Sequence, residues 1–373
     1  MQTVTGHATH GASSRANNFD VIRLLAALQV AITHAFAWLK VPLSPFADAC
    51  FRNFPGVAIF FVISGFLITR SYLTSRSGLV GYFVRRALRI YPALWLQYAA
   101  CFVLLAATGG LAWRSVTDGA FWEWTSAAAI VGSNFWASVL TGHSPFQWTG
   151  LYKWYPNDVL WTIPVEISFY LLVPLVFGRW ISRRGLTVPT VVLAWVGSVA
   201  AAYWAGPLLR DHGDLNVTGM VHSSPLPYFW IFLLGGAAAL WWDRVRSWFE
   251  GRAAWWMAAY AAMSLVNWLW LGQTWLTYRT PDALTVPRVI VLAGLVLSLA
   301  FTWTSLSSWL RGNDLSYGLY LFHLPLPYGL YSAGIGGSVW YVGASLAVAF
   351  VLAGVSWRLV ERPALRLKDF LED

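Results

Sequence analysis

The stretch RLLAALQVAITHAF, from Arg23 to Phe36, is apolar enough to lie in a membrane, yet it contains an arginine, a glutamine and a histidine. Apolar runs of similar or greater length recur along all 373 residues of the chain. A helix needs roughly twenty predominantly apolar residues to cross a bilayer. The sequence therefore predicts an all-α fold, a polytopic integral-membrane helical bundle.

The composition also indicates a membrane protein. Hydrophobic residues make up 58% of the chain and charged residues 11%, whereas soluble domains carry about 25% charged residues. The 25 tryptophans fit the same class, because Trp favours membrane–water boundaries. The formal net charge of +9 reflects arginines in short loops between apolar runs, where positive charge fixes topology. We therefore expect membrane lipids as partners and no nucleic acid.

Ten apolar segments are predicted to cross the membrane: 19–39, 54–74, 91–109, 158–178, 187–206, 226–243, 253–272, 286–305, 315–334 and 338–358. An eleventh stretch, 119–140, is less apolar and is predicted to be interfacial or re-entrant. The basic residues between spans then fall on the cytoplasmic side, as the positive-inside rule requires, and both termini are cytoplasmic. This topology depends on Arg70, Arg76, Arg85, Arg86, Arg89, Arg179, Arg183, Arg184, Arg244, Arg246, Arg252, Arg311, Arg358, Arg362, Arg366 and Lys368.

Ionisable side chains inside a span are costly and indicate a functional site. Arg23 and His34 lie on the first span, Glu166 on the fourth and His323 on the ninth. Arg23 and His34 are eleven residues apart, and at about 100° per residue this separation is close to three full turns. The two side chains therefore share one helix face, about 16 Å apart along the axis. The alternative is that Arg23 reaches the lipid headgroups and His34 hydrogen-bonds a neighbouring helix.

Glu166 is predicted at a depth close to that of His34, because its span runs inward from the outer side. A carboxylate beside an imidazole fixes the tautomer of the ring and raises its basicity. His34 and Glu166 are therefore the candidate catalytic residues. A structural hydrogen bond between the two side chains is the alternative.

Arg86 and Arg89 are one turn apart if their segment is helical, so they share a face at the cytoplasmic interface. Guanidinium groups suit phosphates. Positive-inside anchoring is the alternative function of this pair.

Four more polar residues are candidates for substrate binding: Ser64, Ser316, Tyr320 and His323. Ser64 lies in mid-span beside a glycine, where small residues usually serve close helix packing. The other three lie on roughly one helix face, for which a packed polar stripe is the alternative. No set of His, Cys or carboxylate residues has metal-ligand spacing, so no metal is expected.

Six segments, in this order, resemble acyltransferase family 3, the bacterial membrane O-acyltransferases. They are NFDVIRLLAALQVAITH, GVAIFFVISGFLITRSY, VRRALRIYPALW, LWTIPVEISFYLLVP, SYGLYLFHLPL and VERPALRL, which together span residues 18–367. Arg23 and His34 match the family's arginine–histidine pattern, Arg86 and Arg89 its Arg-x-x-Arg pattern, and Glu166 its Val-Glu motif. The second carboxylate that the family often carries next is replaced by Ile167.

The resemblance implies transfer of an acyl group, usually acetyl from acetyl-CoA, to a sugar hydroxyl of O-antigen, exopolysaccharide or a similar glycan. Acetyl-CoA would arrive from the cytoplasm, with Arg23, Arg86 and Arg89 binding it. The glycan acceptor would be lipid-linked or periplasmic. His34, oriented by Glu166, would be the general base or, alternatively, a transient acyl carrier.

The resemblance also implies a multi-pass protein of the bacterial inner membrane, of the stand-alone type without a fused periplasmic esterase-like domain. The chain is accordingly divided into a polar cytoplasmic tail (1–17), a membrane acyltransferase domain (18–360) and a second cytoplasmic tail (361–373). A transporter or flippase for a polysaccharide or lipid-linked sugar, with His34 and Glu166 as a proton relay, is the alternative function. A structural membrane subunit without chemistry is a third.

Overall fold

A computed structural model describes residues 17–75, 78–146, 151–152, 155–178, 187–210, 215–271, 276, 278–310 and 312–368. Within these ranges the regular elements are all helical, so the predicted all-α fold is confirmed. Both ends of the chain lie outside the described residues, as do five of the arginines on which the predicted topology depends: Arg76, Arg179, Arg183, Arg184 and Arg311.

The first half of the chain, where it is described, forms seven α-helices. They are α1 (Phe19–Trp38), α2 (Pro45–Arg52), α3 (Gly56–Thr74), α4 (Gly78–Ala107), α5 (Gly119–Val131), α6 (Asn134–Thr141) and α7 (Thr162–Val173). A 3-10 turn, Asp158–Trp161, precedes α7, and a π-helical turn, Pro174–Gly178, follows it.

The described residues of the second half form ten more α-helices. They are α8 (Val188–Arg210), α9 (Leu215–His222), α10 (Phe229–Leu240), α11 (Trp242–Val245), α12 (Ala253–Leu271), α13 (Thr285–Ala300), α14 (Ser316–Phe322), α15 (Pro325–Ser332), α16 (Val339–Ser356) and α17 (Arg362–Arg366).

Among the described ranges, six helical segments are long and apolar enough to cross a membrane, and a pair bent by 72°, Thr285–Ala300 with Thr304–Leu310, would make a seventh. The six are Phe19–Trp38, Pro45–Thr74, Gly78–Ala107, Asp158–Gly178, Val188–Leu209 and Val339–Arg366. The other predicted spans coincide with helices that are shorter, broken or less apolar. A polytopic membrane protein is confirmed, whereas the number of ten spans and the side of each terminus stay predictions.

The stretch 119–140 forms a helical hairpin made of α5 and α6. Its turn is at Gly132, whose φ of 73° lies in the left-handed region that favours glycine. A Cβ at this position would also lie 2.3 Å from Ile163, so no other residue fits the turn. The 13 residues of α5 rise only about 20 Å, against a hydrocarbon core of about 30 Å. Neither helix of the hairpin can cross the membrane, as predicted for an interfacial or re-entrant segment.

The ninth predicted span is broken between α14 and α15. Pro325 has no backbone N–H, so the carbonyl of Leu321 loses its helical donor. The side chain of Asn157, which is completely buried, donates to that carbonyl at 2.9 Å. The break leaves His323 at the C-terminal end of α14, in the interior of the bundle.

Close packing of α3 against α10 fixes the centre of the bundle. A Cβ on Gly65 would lie 2.0 Å from the carbonyl oxygen of Phe232, and one on Gly235 would lie 2.0 Å from the carbonyl oxygen of Val62. The two backbones therefore touch, which only small residues allow. Helix α1 packs against α3, α14 and α16, and this arrangement surrounds the polar face of α1 with other helices.

Candidate active site

A small inner cavity of about 70 Å³ lies beside the first half of α1. Six of the predicted site residues line it: Arg23, Ser64, Arg89, Glu166, Ser316 and Tyr320. They come from five different helices, α1, α3, α4, α7 and α14. The structure thus brings together residues that are up to 297 positions apart in the chain.

Asp314 connects the two arginines of the inner cavity. Its carboxylate forms ion pairs with Arg89 and, at 3.5 Å, with Arg23. The same side chain accepts hydrogen bonds from the backbone N–H and the hydroxyl of Ser316, at 3.1 and 2.5 Å. Asp314 was not among the predicted residues, because it lies in the loop just before the predicted span 315–334. The available signal was its position in the sequence, two residues before Ser316, the first polar residue of that span.

Arg86 and Arg89 have different surroundings although they are one turn apart. Arg89 pairs with Asp314, whereas the guanidinium of Arg86 lies over the rings of Tyr82 and Tyr170, at 5.9 and 5.7 Å. The Nε atom of Arg86 is buried without a hydrogen-bond partner in the described structure. The prediction that this pair binds phosphates stays a prediction, and Arg86 is the member with the less engaged guanidinium.

The predicted pairing of Glu166 with His34 is wrong. Glu166 lines the inner cavity and accepts a hydrogen bond of 2.5 Å from the hydroxyl of Tyr170. The depth of Glu166 relative to His34 was misjudged. Trp161, the last residue of the 3-10 turn before α7, borders the same cavities as His34. Glu166 is five residues further along, which places it roughly 7.5 Å beyond Trp161 along the helix axis.

The partner of His34 is His323. The Nδ1 atom of His34 lies 2.9 Å from Nε2 of His323. The two rings are nearly coplanar and meet edge to edge, with centroids 5.2 Å apart and an interplanar angle of 10°. His323, predicted to bind substrate, is only 2% exposed, and its Nδ1 atom lies 2.8 Å from the carbonyl oxygen of Tyr320. Two predicted site residues therefore meet, but in a combination that was not predicted.

His34 borders a much larger outer cavity of about 1290 Å³. The wall of this cavity includes Trp161, Tyr278 and Arg279, and the guanidinium of Arg279 lies 5.2 Å from the centre of the Trp161 ring. His34 also borders a neighbouring cavity of about 380 Å³. Trp161 and Arg279 were missed because one precedes an α-helix and the other lies in a loop between predicted spans.

The inner and outer cavities meet at Val57 and Tyr320, which line both. The hydroxyl of Tyr320 lies 3.0 Å from that of Thr162 and donates to the carbonyl oxygen of Val159 at 3.2 Å. The polar face of α1 thus has Arg23 in one compartment and His34 in the next. No group of three or more metal-ligating side chains occurs in the described part of the chain.

Comparisons with known proteins show what this chain is similar to. A family model described as an acyltransferase domain matches residues 17–358. Nodulation protein 10 from Rhizobium leguminosarum bv. viciae is 36% identical over 98% of this chain and 98% of its own length. The O-acetyl transferase of Shigella phage Sf6 is 24% identical over 93% of this chain and 96% of its own length. Peptidoglycan O-acetyltransferase OatA from Listeria monocytogenes is 28% identical over 47% of this chain and 26% of its own length. No solved structure matches the chain.

Proposed function

Because this chain belongs to acyltransferase family 3, we propose that it transfers an acetyl group from acetyl-CoA to a hydroxyl of a cell-surface or secreted carbohydrate. The observation that carries this proposal is the position of His34, which borders the outer cavity and has one ring nitrogen engaged with His323. Its other nitrogen, Nε2, makes no hydrogen bond to any described residue. A general base with an unengaged ring nitrogen, on a residue that borders a large cavity, suits acylation of a hydroxyl.

In the proposed reaction His34 takes the proton of the acceptor hydroxyl on Nε2. The hydroxyl oxygen attacks the carbonyl carbon of the thioester, the carbon–sulfur bond breaks, and the CoA thiolate leaves. The proton held on His34 then returns to that sulfur, so the products are an O-acetyl ester and free CoA. A transient acyl-histidine is the alternative course, in which His34 itself attacks the thioester.

The outer cavity is the proposed acceptor site. Its volume of about 1290 Å³ exceeds the roughly 300–1,000 Å³ of sites for small ligands, which suits several sugar units. Trp161, Tyr278 and Tyr320 offer aromatic surface to sugar rings, and Arg279 offers a guanidinium donor. The printed names of relatives support a carbohydrate acceptor, since one is a peptidoglycan O-acetyltransferase. The acceptor is proposed to be lipid-linked or on the periplasmic side of the inner membrane.

The acyl donor is proposed to enter from the cytoplasmic side, past the inner cavity. Arg86 is the preferred phosphate-binding residue, because Arg89 and Arg23 already share Asp314. The thioester arm would then pass Tyr320 and Val57, which border both cavities, to reach His34. Donor and acceptor would meet where the two compartments join.

Release of free thiol from acetyl-CoA tests the proposed function. Purified protein in lipid nanodiscs is supplied with acetyl-CoA and a glycan extract from the source bacterium. It should release CoA and raise the mass of the glycan by about 42 Da for each acetyl ester formed. A transporter would move the glycan across the bilayer without consuming acetyl-CoA. The proton relay that a transporter would need has weak support, since His34 and Glu166 border separate cavities.

Glu166→Gln is expected to slow acyl transfer by about tenfold or less, well below the effect of removing a general base. Glutamine keeps an oxygen that can accept from the Tyr170 hydroxyl, so the substitution removes only the negative charge near Arg23. Glu166→Asp should retain partial activity. Steady-state kinetics on the wild type and both Glu166 variants measures the difference. A loss of activity as large as that of His34→Ala would show that Glu166 takes part in proton transfer.

A further inference from the structure

His323 is buried beside the proposed base but out of reach of a substrate. It is 2% exposed and belongs to the walls of neither the inner nor the outer cavity. Its ring contacts His34, and its Nδ1 atom contacts the carbonyl oxygen of Tyr320 on its own helix. Any effect of His323 on the reaction must therefore act through His34.

The hydrogen bonds of His323 define where its proton lies. A carbonyl oxygen only accepts, so Nδ1 of His323 carries the hydrogen that is donated to Tyr320. In the neutral ring Nε2 of His323 is then an acceptor. The contact of 2.9 Å between this atom and Nδ1 of His34 needs one hydrogen, which must come from His34. Neutral His34 is consequently the Nδ1–H tautomer, with its lone pair on Nε2.

We infer that His323 is a positioning residue that holds the proton of His34 on Nδ1 and presents Nε2 as the basic atom. This assignment rests on the proposed function of His34. A neutral imidazole suits the task, because it orients the base without placing another charge inside the membrane. Without this acceptor His34 would also populate the Nε2–H tautomer, which cannot take the hydroxyl proton.

The fold holds His323 rigidly for this purpose. At the helix break before Pro325, the side chain of Asn157 donates a hydrogen bond to the carbonyl oxygen of Leu321. This bond anchors the end of α14 to the loop before α7. The two imidazoles are nearly coplanar, with an interplanar angle of 10°, so the lone pair of His323 Nε2 is directed at Nδ1 of His34. Both devices fix the orientation of the donor and acceptor atoms rather than binding a ligand.

Two substitutions separate orientation from packing. His323→Phe fills the space without an acceptor and should lower kcat roughly 10- to 100-fold with little change in KM for the acceptor. His323→Gln, whose Oε1 can occupy the position of Nε2, should restore kcat to within a few-fold of wild type. His143→Phe is the matched control and should leave activity unchanged. His143 is hydrogen-bonded to the carbonyls of Ala120 and Thr141 at the hairpin, and it lines none of the three cavities.

Nitrogen-15 NMR of histidine-labelled protein reads the tautomer directly, with His34→Gln used to assign the His34 signals. Wild type and His323→Gln should show a protonated Nδ1 on His34, and His323→Phe should show a shift toward protonated Nε2. A fall in kcat without this shift would mean a structural role only, and an unchanged kcat in His323→Phe would also overturn the inference. Turnover is not needed for the NMR measurement, so an inactive wild type would refute the proposed function and leave the tautomer assignment testable.

Discussion

His34→Ala is expected to lower kcat for acyl transfer by about 10²–10⁴-fold, the range that a positioned general base contributes. The side chain borders two cavities, so its truncation removes chemistry and leaves the packing of the bundle largely intact. His34→Gln should be equally inactive although it preserves volume, because an amide cannot take a proton near neutral pH. Transfer to a purified acceptor, followed by mass spectrometry of the product, measures the loss.

A fold control is needed for this result, since an unfolded protein is also inactive. His143→Ala should transfer at the wild-type rate, and the thermal unfolding midpoint of His34→Ala should stay close to that of wild type. Wild-type acylation by His34→Ala would remove the base from the mechanism. Retained release of CoA with no acylated glycan would instead point to water as the acceptor in the mutant.

Asp314→Asn is expected to destabilise the folded protein by about 3–5 kcal/mol, the cost of leaving buried charge without its partner. The side chain of Asp314 is 8% exposed, and its carboxylate forms ion pairs with both Arg23 and Arg89. Asparagine keeps the volume and can still accept from Ser316 through its side-chain oxygen. The decrease in the free energy of unfolding therefore measures the contribution of the negative charge of Asp314.

Asp48→Asn is the matched control, because Asp48 pairs with Arg52 one turn away on α2, with side chains 35% and 42% exposed. An exposed pair of this kind contributes about 0.3–0.5 kcal/mol. Unfolding of both variants in the same detergent, followed by tryptophan fluorescence, gives the comparison. Equal stability of Asp314→Asn and Asp48→Asn would show that Arg23 and Arg89 do not depend on Asp314, and would favour their binding of an external anion.

Helical content and membrane class were predictable, because both depend on local composition. Apolar runs separated by arginine-rich loops are sufficient to specify buried helices in a bilayer. The placement of Arg23 and His34 on one face of α1 was predictable too, since a regular helix fixes the angle between residues of known spacing. Both side chains border cavities in the structure, as this shared face requires.

The contacts between helices were not predictable in the same way. Glu166 was assigned to His34 by counting residues from the ends of two predicted spans, and such a count does not fix the relative depth of two packed helices. Asp314 and Arg279 lie in loops, where no periodicity signals what they will face. These positions depend on how segments far apart in sequence pack, through contacts such as Gly65 against Phe232.

The sequence by itself determined that this chain is a helical membrane protein whose ordered motifs resemble those of acyltransferase family 3. Those features are local, since each depends on side-chain polarity and spacing within one segment. The tertiary structure alone decided that His34 pairs with His323 rather than with Glu166, a contact between residues 289 positions apart. Helical periodicity fixes the face of a helix but leaves the depth and identity of its neighbour open, and only packing against another helix determines those.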